Sequence, residues 1–413
     1  KGGSVLLESS KPVLEGRYDL TVLSQVGSFG QYTNGISTSY GNSNLLGKTK
    51  IFHHYLENNF TYPLKGTDVI RTQDNASVRQ KGISQDIYYR LNKQEIAFHA
   101  QLLQNDREIQ PSIANTAGTD KLEDINLRLA LNQHIDVNKG QWDNTLAFII
   151  NDQYFNQDSR VVSQQFSGVT NYEMTLGNTS SLRLGANVNH FIAETENYFE
   201  TDWQTDLYAA LSFEPLPLWK VSINLRQSLD NSAQPFAPSI GSKLPVFKTP
   251  KAQLTWKAQG SRAYRLPTLN DRFWQPGGNT DLQAEESISV ETGLILNTKV
   301  QGIEIAAEVN VFRNWVDEWI IWLPNESSIW TPNNIRSVQV SGVELSTSLS
   351  HRFAEHQLKF NGYYSYTESL NQSGLIDGDN SVGKQLPYVP EHQFNLGLSW
   401  EFRSWNAGIS NNY

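Results

Sequence analysis

The chain of 413 residues contains no cysteine, so disulfides, thiolate metal centres and a cysteine nucleophile are all excluded. It holds no apolar run of about 18 residues, which rules out a helical membrane span, and no signal-peptide pattern at its start. Positive charge is in deficit. Its 33 Lys and Arg stand against 42 Asp and Glu, a formal charge of -9, and no basic cluster marks a nucleic-acid face. No serine-, proline- or lysine-rich run divides the chain, so one continuous architecture is expected. The opening Lys1-Gly2-Gly3-Ser4 has no initiator Met, and the expectation is a piece of a longer polypeptide.

What the chain has is alternation, from end to end. Ile125, Leu127, Leu129 and Leu131 alternate with Asn126, Arg128, Ala130 and Asn132. Trp219, Val221, Ile223 and Leu225 alternate with Lys220, Ser222, Asn224 and Arg226. Ile303, Ile305, Ala307, Val309 and Val311 are set against Glu304, Glu308 and Asn310, and Phe394, Leu396, Leu398, Trp400 and Phe402 against Asn395, Gly397, Ser399 and Glu401. Each segment reads as a strand with one apolar and one polar face. The mean hydropathy of -0.47 does not decide between water and membrane, because only alternate residues of a membrane barrel face lipid.

A soluble sandwich buries its apolar faces between two sheets, whereas a membrane barrel turns them outward. Three features favour the barrel. The alternating segments run to roughly 10 to 16 residues, the length of tilted spanning strands rather than of ordinary soluble ones. Many of the 11 Trp and 17 Tyr fall at segment ends, as Trp315, Trp319, Trp322, Trp400 and Trp405 do, where an amphipathic ring suits the headgroup interface. Connection lengths also keep a parity. About nineteen strands can be counted from Tyr18, long connections (61–74, 107–122, 195–202, 230–236, 265–283, 319–336, 371–389) follow the odd ones, and short turns follow the even ones.

Catalytic and metal motifs are weak. Asp377-Gly378-Asp379-Asn380 spaces oxygens as a calcium loop does, but no glutamate follows where an EF-hand needs one; a structural turn is expected, with calcium as the alternative. His53 and His54 point to opposite faces of a strand and cannot share a metal. There is no Gly-x-Ser-x-Gly elbow and no His-Glu-x-x-His. Gly378, Gly383 and Lys384 have phosphate-loop spacing, but Gln385 stands where the magnesium-binding Ser or Thr would. No catalytic residue, cofactor or metal site is expected.

Residues 261 to 297 form one polar, aromatic, turn-rich loop running into an alternating strand. Within it, Arg265-Leu266-Pro267-Thr268-Leu269-Asn270-Asp271, Gly278-Asn279-Thr280-Asp281-Leu282 and the acidic strand start Glu285-Glu286 resemble TonB-dependent outer-membrane receptors. Weaker matches follow in the same order as in that family. They are Gly2 to Ser9, Gly27 to Tyr32, Asn333-Asn334 with Val340 to Leu345, and Leu386 to His392. The resemblance implies an all-β, transmembrane antiparallel β-barrel of about 22 strands, of which this chain would hold roughly 19. Residues 1–12 would be the last strand of the plug domain and 13–413 the barrel, with about three C-terminal strands lying beyond it.

The implied function is TonB-dependent import of a scarce nutrient across the outer membrane of a Gram-negative bacterium. Cobalamin is the nearest substrate class, with ferric siderophores close behind. A passive porin-like channel and a non-transport surface or adhesion β protein are the alternatives. Implied partners are TonB (through a segment absent from this chain), the plug domain, outer-membrane lipid, the small-molecule nutrient and, in some receptors, a surface lipoprotein; nucleic acid is not among them. Arg128, Lys220, Arg226, Glu304 and Glu308 would wet the lumen. Arg272, Phe273 and Trp274 in one extracellular loop, with Trp322, Asn325 and Trp330 in another, are the candidate ligand-binding residues. Aromatic faces with a few fixed donors suit a bulky planar or macrocyclic ligand, and the competing role is loop packing or interface anchoring.

Overall fold

The structure, a computed structural model, describes residues 18–64, 66–111, 118–230, 234–374, 379–387 and 389–413. The expected plug strand (1–12) and Asp377 of the calcium-like turn lie outside these residues. Strands β1 (Tyr18–Gly27), β2 (Gln31–Gly41) and β3 (Leu45–Leu56) are followed by the short pair β4 (Thr61–Pro63) and β5 (Ile70–Thr72). Next come β6 (Val78–Leu91), β7 (Gln94–Glu108), β8 (Lys121–Val137), β9 (Gly140–Phe155), β10 (Ser159–Leu176), β11 (Ser180–Glu194) and β12 (Phe199–Leu216). The third group is β13 (Trp219–Asp230), β14 (Phe236–Lys248), β15 (Ala252–Arg265), the helical turn α1 (Leu269–Phe273), β16 (Glu285–Val300) and β17 (Ile303–Pro324). The last are β18 (Trp330–Phe353), β19 (His356–Asn371), β20 (His392–Phe402) and β21 (Trp405–Asn412). With β4 and β5 paired to each other as a separate two-stranded sheet, nineteen long strands remain among the described residues, as the alternation anticipates.

The described residues fall into two compact units, 18–174 with 185–206, and 175–184 with 207–413. Within the first, β1, β2, β3, β6, β7, β8, β9 and β10 form an unbroken antiparallel ladder of sequence neighbours. Within the second, β13 to β21 do the same. Pro245, which has no ladder donor, sits where β14 slips register against β15, the place a strand tolerates proline.

Register settles which way the faces point. In the first unit Val22, Ile36, Ile51, Ile83, Leu102, Leu127 and Ile150 lie side by side across seven strands. One residue along, Thr21, Ser37, Lys50, Ser84, Gln101 and Arg128 line the other face. In the second unit the apolar row is Leu244, Trp256, Leu294, Val309, Leu345, Tyr364 and Phe394, and behind it run Lys243, Lys257, Gly293, Asn310, Glu344 and Ser365. The apolar side chains are the bare ones: Ile51 is 50% exposed and Val311 51%. Thr255, Ser289, Asn314, Ser365, Ser369 and Asn371, all on the polar face, are buried. A water-soluble sheet would reverse this, so the solvent for the apolar face is lipid.

Aromatic rings mark the edges of the apolar band. His351, Phe353, His356 and Phe402 form a run of near-parallel stacked rings beside the 354–355 turn, and the Trp400 indole donates to His356 Nδ1 at 3.1 Å. Midway along β17 the Arg313 guanidinium lies 5.2 Å from the Trp315 ring. Such rings sit where hydrocarbon gives way to headgroups.

Connections keep the expected parity. The turns 42–44, 92–93, 138–139, 177–179, 217–218, 249–251, 301–302, 354–355 and 403–404 alternate with connections among which 57–77, 109–120, 266–284 and 372–391 are long, although 28–30 and 156–158 are as short as the turns. Several two-residue turns carry left-handed backbone, at Asn92, Lys139, Leu218, Ala354 and Arg403. Positive φ matches the twist of a tight hairpin. Two boundaries differ clearly from the sequence reading: β12 begins at Phe199, which leaves 195–198 in place of 195–202, and β17 runs on to Pro324 while β18 begins at Trp330, so that connection is 325–329 and Trp322 and Trp330 are strand residues.

Leu345→Arg, on the apolar row, is expected to cost about 2 to 4 kcal/mol in a lipid bilayer, whereas Ser346→Arg on the polar face should leave stability nearly unchanged. Urea unfolding in liposomes checks this. Equal losses at the two positions would mean that the faces have been assigned wrongly.

Candidate functional site

The candidate residues sit where the 266–284 connection meets the end of the β17–β18 hairpin. The connection is ordered by its own first turn. Thr268 caps α1: its hydroxyl accepts from the Asp271 backbone N–H at 3.1 Å, and Asp271 Oδ2 accepts from the Thr268 N–H at 3.0 Å. This reciprocal capping box satisfies two amide donors that a helix start leaves open.

Asp271 does more than cap. It is only 7% exposed, and its other oxygen, Oδ1, accepts from the Trp322 indole N–H at 3.0 Å, joining α1 to β17 across 51 residues of chain. Arg265 approaches Asp271 at 3.6 Å and grips Glu285 with both arms of its guanidinium, Nε to Oε2 at 2.8 Å. These carboxylates, Glu285 foremost, raise the already high pKa of Arg265 further, so the cation is fixed across any biological pH. Glu285 also accepts from the Ile320 backbone N–H at 2.8 Å. The pairs are partly buried, and bidentate Arg–carboxylate geometry sets orientation as well as energy.

Asparagines complete the weld. Asn279 donates to the Pro332 carbonyl at 3.1 Å. Asn334 accepts from the Gln283 N–H at 2.7 Å and donates to the carbonyls of Gln283 and Glu318 at 3.0 and 2.7 Å. Gly277 lies so close to the Trp330 carbonyl that a Cβ there would stand 1.9 Å from the oxygen, so no other residue fits without moving the hairpin. Leu282 and Ala284 are buried under the same connection.

On this base the six candidate residues separate. Trp274 and Trp330 are 36% and 59% exposed and belong to the two segments that Gly277 brings into contact. Arg272 and Phe273 are half-buried neighbours, the guanidinium 5.1 Å from the ring centre. Trp322 is half-buried and engaged through its indole nitrogen. Asn325 shapes the 325–329 turn: its side-chain oxygen accepts from the N–H groups of Ser327 and Ile329 at 2.9 and 3.1 Å. The site therefore has two exposed indoles, an Arg–Phe pair beside them, and a welded underside. Arg265, Asp271, Glu285, Asn279 and Asn334 make that underside. Sequence reasoning quoted them as motif residues without giving them a task, although Thr268-x-x-Asp271 is a legible capping signal.

Among the described residues no group of three or more His, Asp or Glu side chains is placed to hold a metal. The half of the calcium-like turn that can be seen, Asp379, accepts from the Ser381 N–H at 2.8 Å, which is ordinary turn chemistry.

Ladders of long strands with bare apolar faces, polar opposite faces and welded loops beyond one edge define an outer-membrane β-barrel. The chain belongs to the family described as TonB dependent receptor-like, beta-barrel, whose model matches residues 10–413. Among solved structures it resembles the siderophore receptor PirA from Pseudomonas aeruginosa, with a TM-score of 0.72 at 15% identity over 98% of this chain and 73% of the other. It also resembles the FrpB iron transporter from Neisseria meningitidis, with a TM-score of 0.75 at 13% identity over 97% of this chain and 69% of the other. Segments match the vitamin B12 transporter BtuB of Vibrio vulnificus, 29% identical over 110 residues, covering 26% of this chain and 17% of that one. The iron-regulated outer membrane virulence protein of Vibrio cholerae is 32% identical over 169 residues, covering 35% of this chain and 24% of that one. The chain thus aligns with a quarter or less of the length of these curated relatives, which are transporters and an outer-membrane protein rather than enzymes.

Asp271→Ala removes a cap, an indole acceptor and a carboxylate beside Arg265, and leaves the buried indole N–H unpaired, a loss of about 1 to 3 kcal/mol in local stability. Hydrogen exchange should quicken through 268–284 and at Trp322, while the amides of β8 and β9 keep their protection. Uniform quickening, or none, would contradict the weld.

Proposed function

We propose that the chain is the barrel wall of an active importer that takes up a scarce nutrient from outside the cell. The supporting observation is the welded platform. Nutrient capture from dilute solution needs loops that do not have to be ordered at the moment of binding, and the Asp271–Trp322 and Arg265–Glu285 ties remove that cost beforehand. Trp274 and Trp330 offer flat apolar surface above it, and Arg272 and Phe273 a polar–aromatic edge. That combination favours a bulky ligand with planar or macrocyclic parts, cobalamin first and a ferric siderophore second.

In this reading the ligand settles on the platform and on a plug domain seated in the lumen, whose last strand would be residues 1–12. TonB, pulling on a plug segment, would open the way inward with energy from the inner membrane. The polar inward face is a wall for that passage, with Arg128, Glu304 and Glu308 wetting it. A surface lipoprotein is a further candidate partner, and bound calcium at Asp377 and Asp379 a candidate loop clamp.

A strain lacking the gene should lose growth when cobalamin or ferric siderophore is limiting, and the intact gene should restore it. The double variant Trp274→Ala and Trp330→Ala, present at normal levels in the membrane, should lower apparent affinity for the nutrient about tenfold or more, the scale of two lost stacking anchors. Normal growth of the deletion strain on both nutrients would remove both substrate classes. Unchanged affinity in the double variant would move the site elsewhere.

A further inference from the structure

The inward face of β13 to β16 carries lysines out of proportion to a chain with a surplus of acid. Lys220, Lys243 and Lys257 stand directly opposite one another on three adjacent strands. Like charges so placed repel, since cross-strand Cβ atoms lie about 5 Å apart. Lys248 follows on the same face of β14, opposite Gln253, with Lys251 in the turn beside it and Lys299 near the end of β16, its backbone N–H bonded to the Lys251 carbonyl. Lys220 is 3.7 Å from Glu214, Lys257 is bonded to Glu308, and Lys299 is 2.9 Å from Glu304. Lys243, Lys248 and Lys251 have no carboxylate in ion-pair range among the described residues. Next to them is a recess of about 1030 Å³, lined by Lys248, Lys251, Gln253, Asn297, Lys299 and Ser348 among others. A mixed lining, six lysines against the three carboxylates of Glu214, Glu304 and Glu308, and room for a chain occur together at the short-turn end of this wall.

From this we infer that an extended acidic polypeptide segment lies along the lysine stripe and enters the recess, its carboxylates facing Lys243 and Lys248. Spacing selects a polypeptide. Lys243 and Lys248 are five residues apart on one strand, about 16 Å, which no single compact anion spans. An extended chain presents a side chain to the same side every two residues, about 7 Å, so carboxylates four residues apart, about 14 Å, come within reach of both lysines. The inference rests on the reading of this face as the lumen. It adds to that reading the charge of what the wall holds and the strands that hold it.

Outer membranes carrying the full-length protein, treated with a water-soluble carbodiimide, provide the test, because the reagent joins a lysine amine to a carboxylate in contact with it. Mass spectrometry should find Lys243 and Lys248 joined to Asp or Glu of a segment outside β13 to β19 that is rich in acid. Lys243→Gln with Lys248→Gln should cut that product roughly tenfold or more while the Lys299–Glu304 product stays constant. Products confined to the wall's own pairs, or complete suppression by millimolar inorganic phosphate, would overturn the inference. The face is checked separately in this cysteine-free chain: an impermeant maleimide applied to opened membranes should label Lys243→Cys and spare Val343→Cys. The reverse labelling would overturn the lumen reading itself, whereas correct labelling without acidic cross-links sinks only the stripe.

Discussion

A peptide group placed in hydrocarbon has no water to bond, and leaving it unpaired costs several kcal/mol. That constraint decides nearly everything about this chain. It is met by ladders in which each long strand pairs with its sequence neighbours, and the pairing runs from β1 to β10 in one unit and from β13 to β21 in the other. Once the backbone is satisfied by pairing, side chains are free to divide by solvent, with Ile51 and Val311 toward lipid and Lys50 and Asn310 away from it. Neighbouring residues of one strand thus live in two different solvents, and the mean hydropathy of -0.47 averages two populations that never mix.

The same constraint explains the asymmetry of the connections. A turn that only has to reverse the chain at the membrane surface does so in two or three residues, and the left-handed residues at Asn92, Lys139 and Arg403 show how tightly. On the other edge the chain leaves hydrocarbon, and pairing is no longer compulsory. There β17 and β18 continue above the apolar band as a free hairpin, and 266–284 folds against it through side chains instead of a ladder. Side-chain bonds are specific where ladder bonds are generic. This is why this edge can vary in sequence while the wall stays the same, and why solved structures at 12 to 15% identity still share the fold.

How much of this could be read in advance follows from the range of the forces involved. The period-2 pattern of Ile303 to Val311 and Phe394 to Phe402 is local, and it gave strands, faces and the count of nineteen correctly. The Thr268–Asp271 capping box is local too, visible as a motif and realised as one. What could not be read was the second use of Asp271. Its bond to Trp322 joins residues 51 apart, and no periodicity in either segment announces the other. Asn325 has a local task that its sequence position alone does not announce. Its side-chain oxygen accepts from two N–H groups of its own turn, ordinary work for asparagine in such a place. The boundary at 319–336 was drawn too wide because a polar hairpin beyond the membrane has lost the alternation that marks strands within it.

The weld also ranks the candidate residues by what each can contribute to binding. Trp322 gives its indole N–H to a carboxylate that is itself bonded to Thr268 and lies beside Arg265, so a ligand gains little from it without first breaking a buried network. Trp274 and Trp330 carry no such obligation on the faces they expose, and the segments bearing them are locked together where Gly277 meets the Trp330 carbonyl. An aromatic held from below and bare above loses little entropy when covered, since its position is already fixed. Under the proposed function, the strength of the platform therefore resides in residues that would not touch the ligand. Damage to Arg265, Asp271 or Glu285 should weaken capture by loosening the indoles rather than by removing a contact.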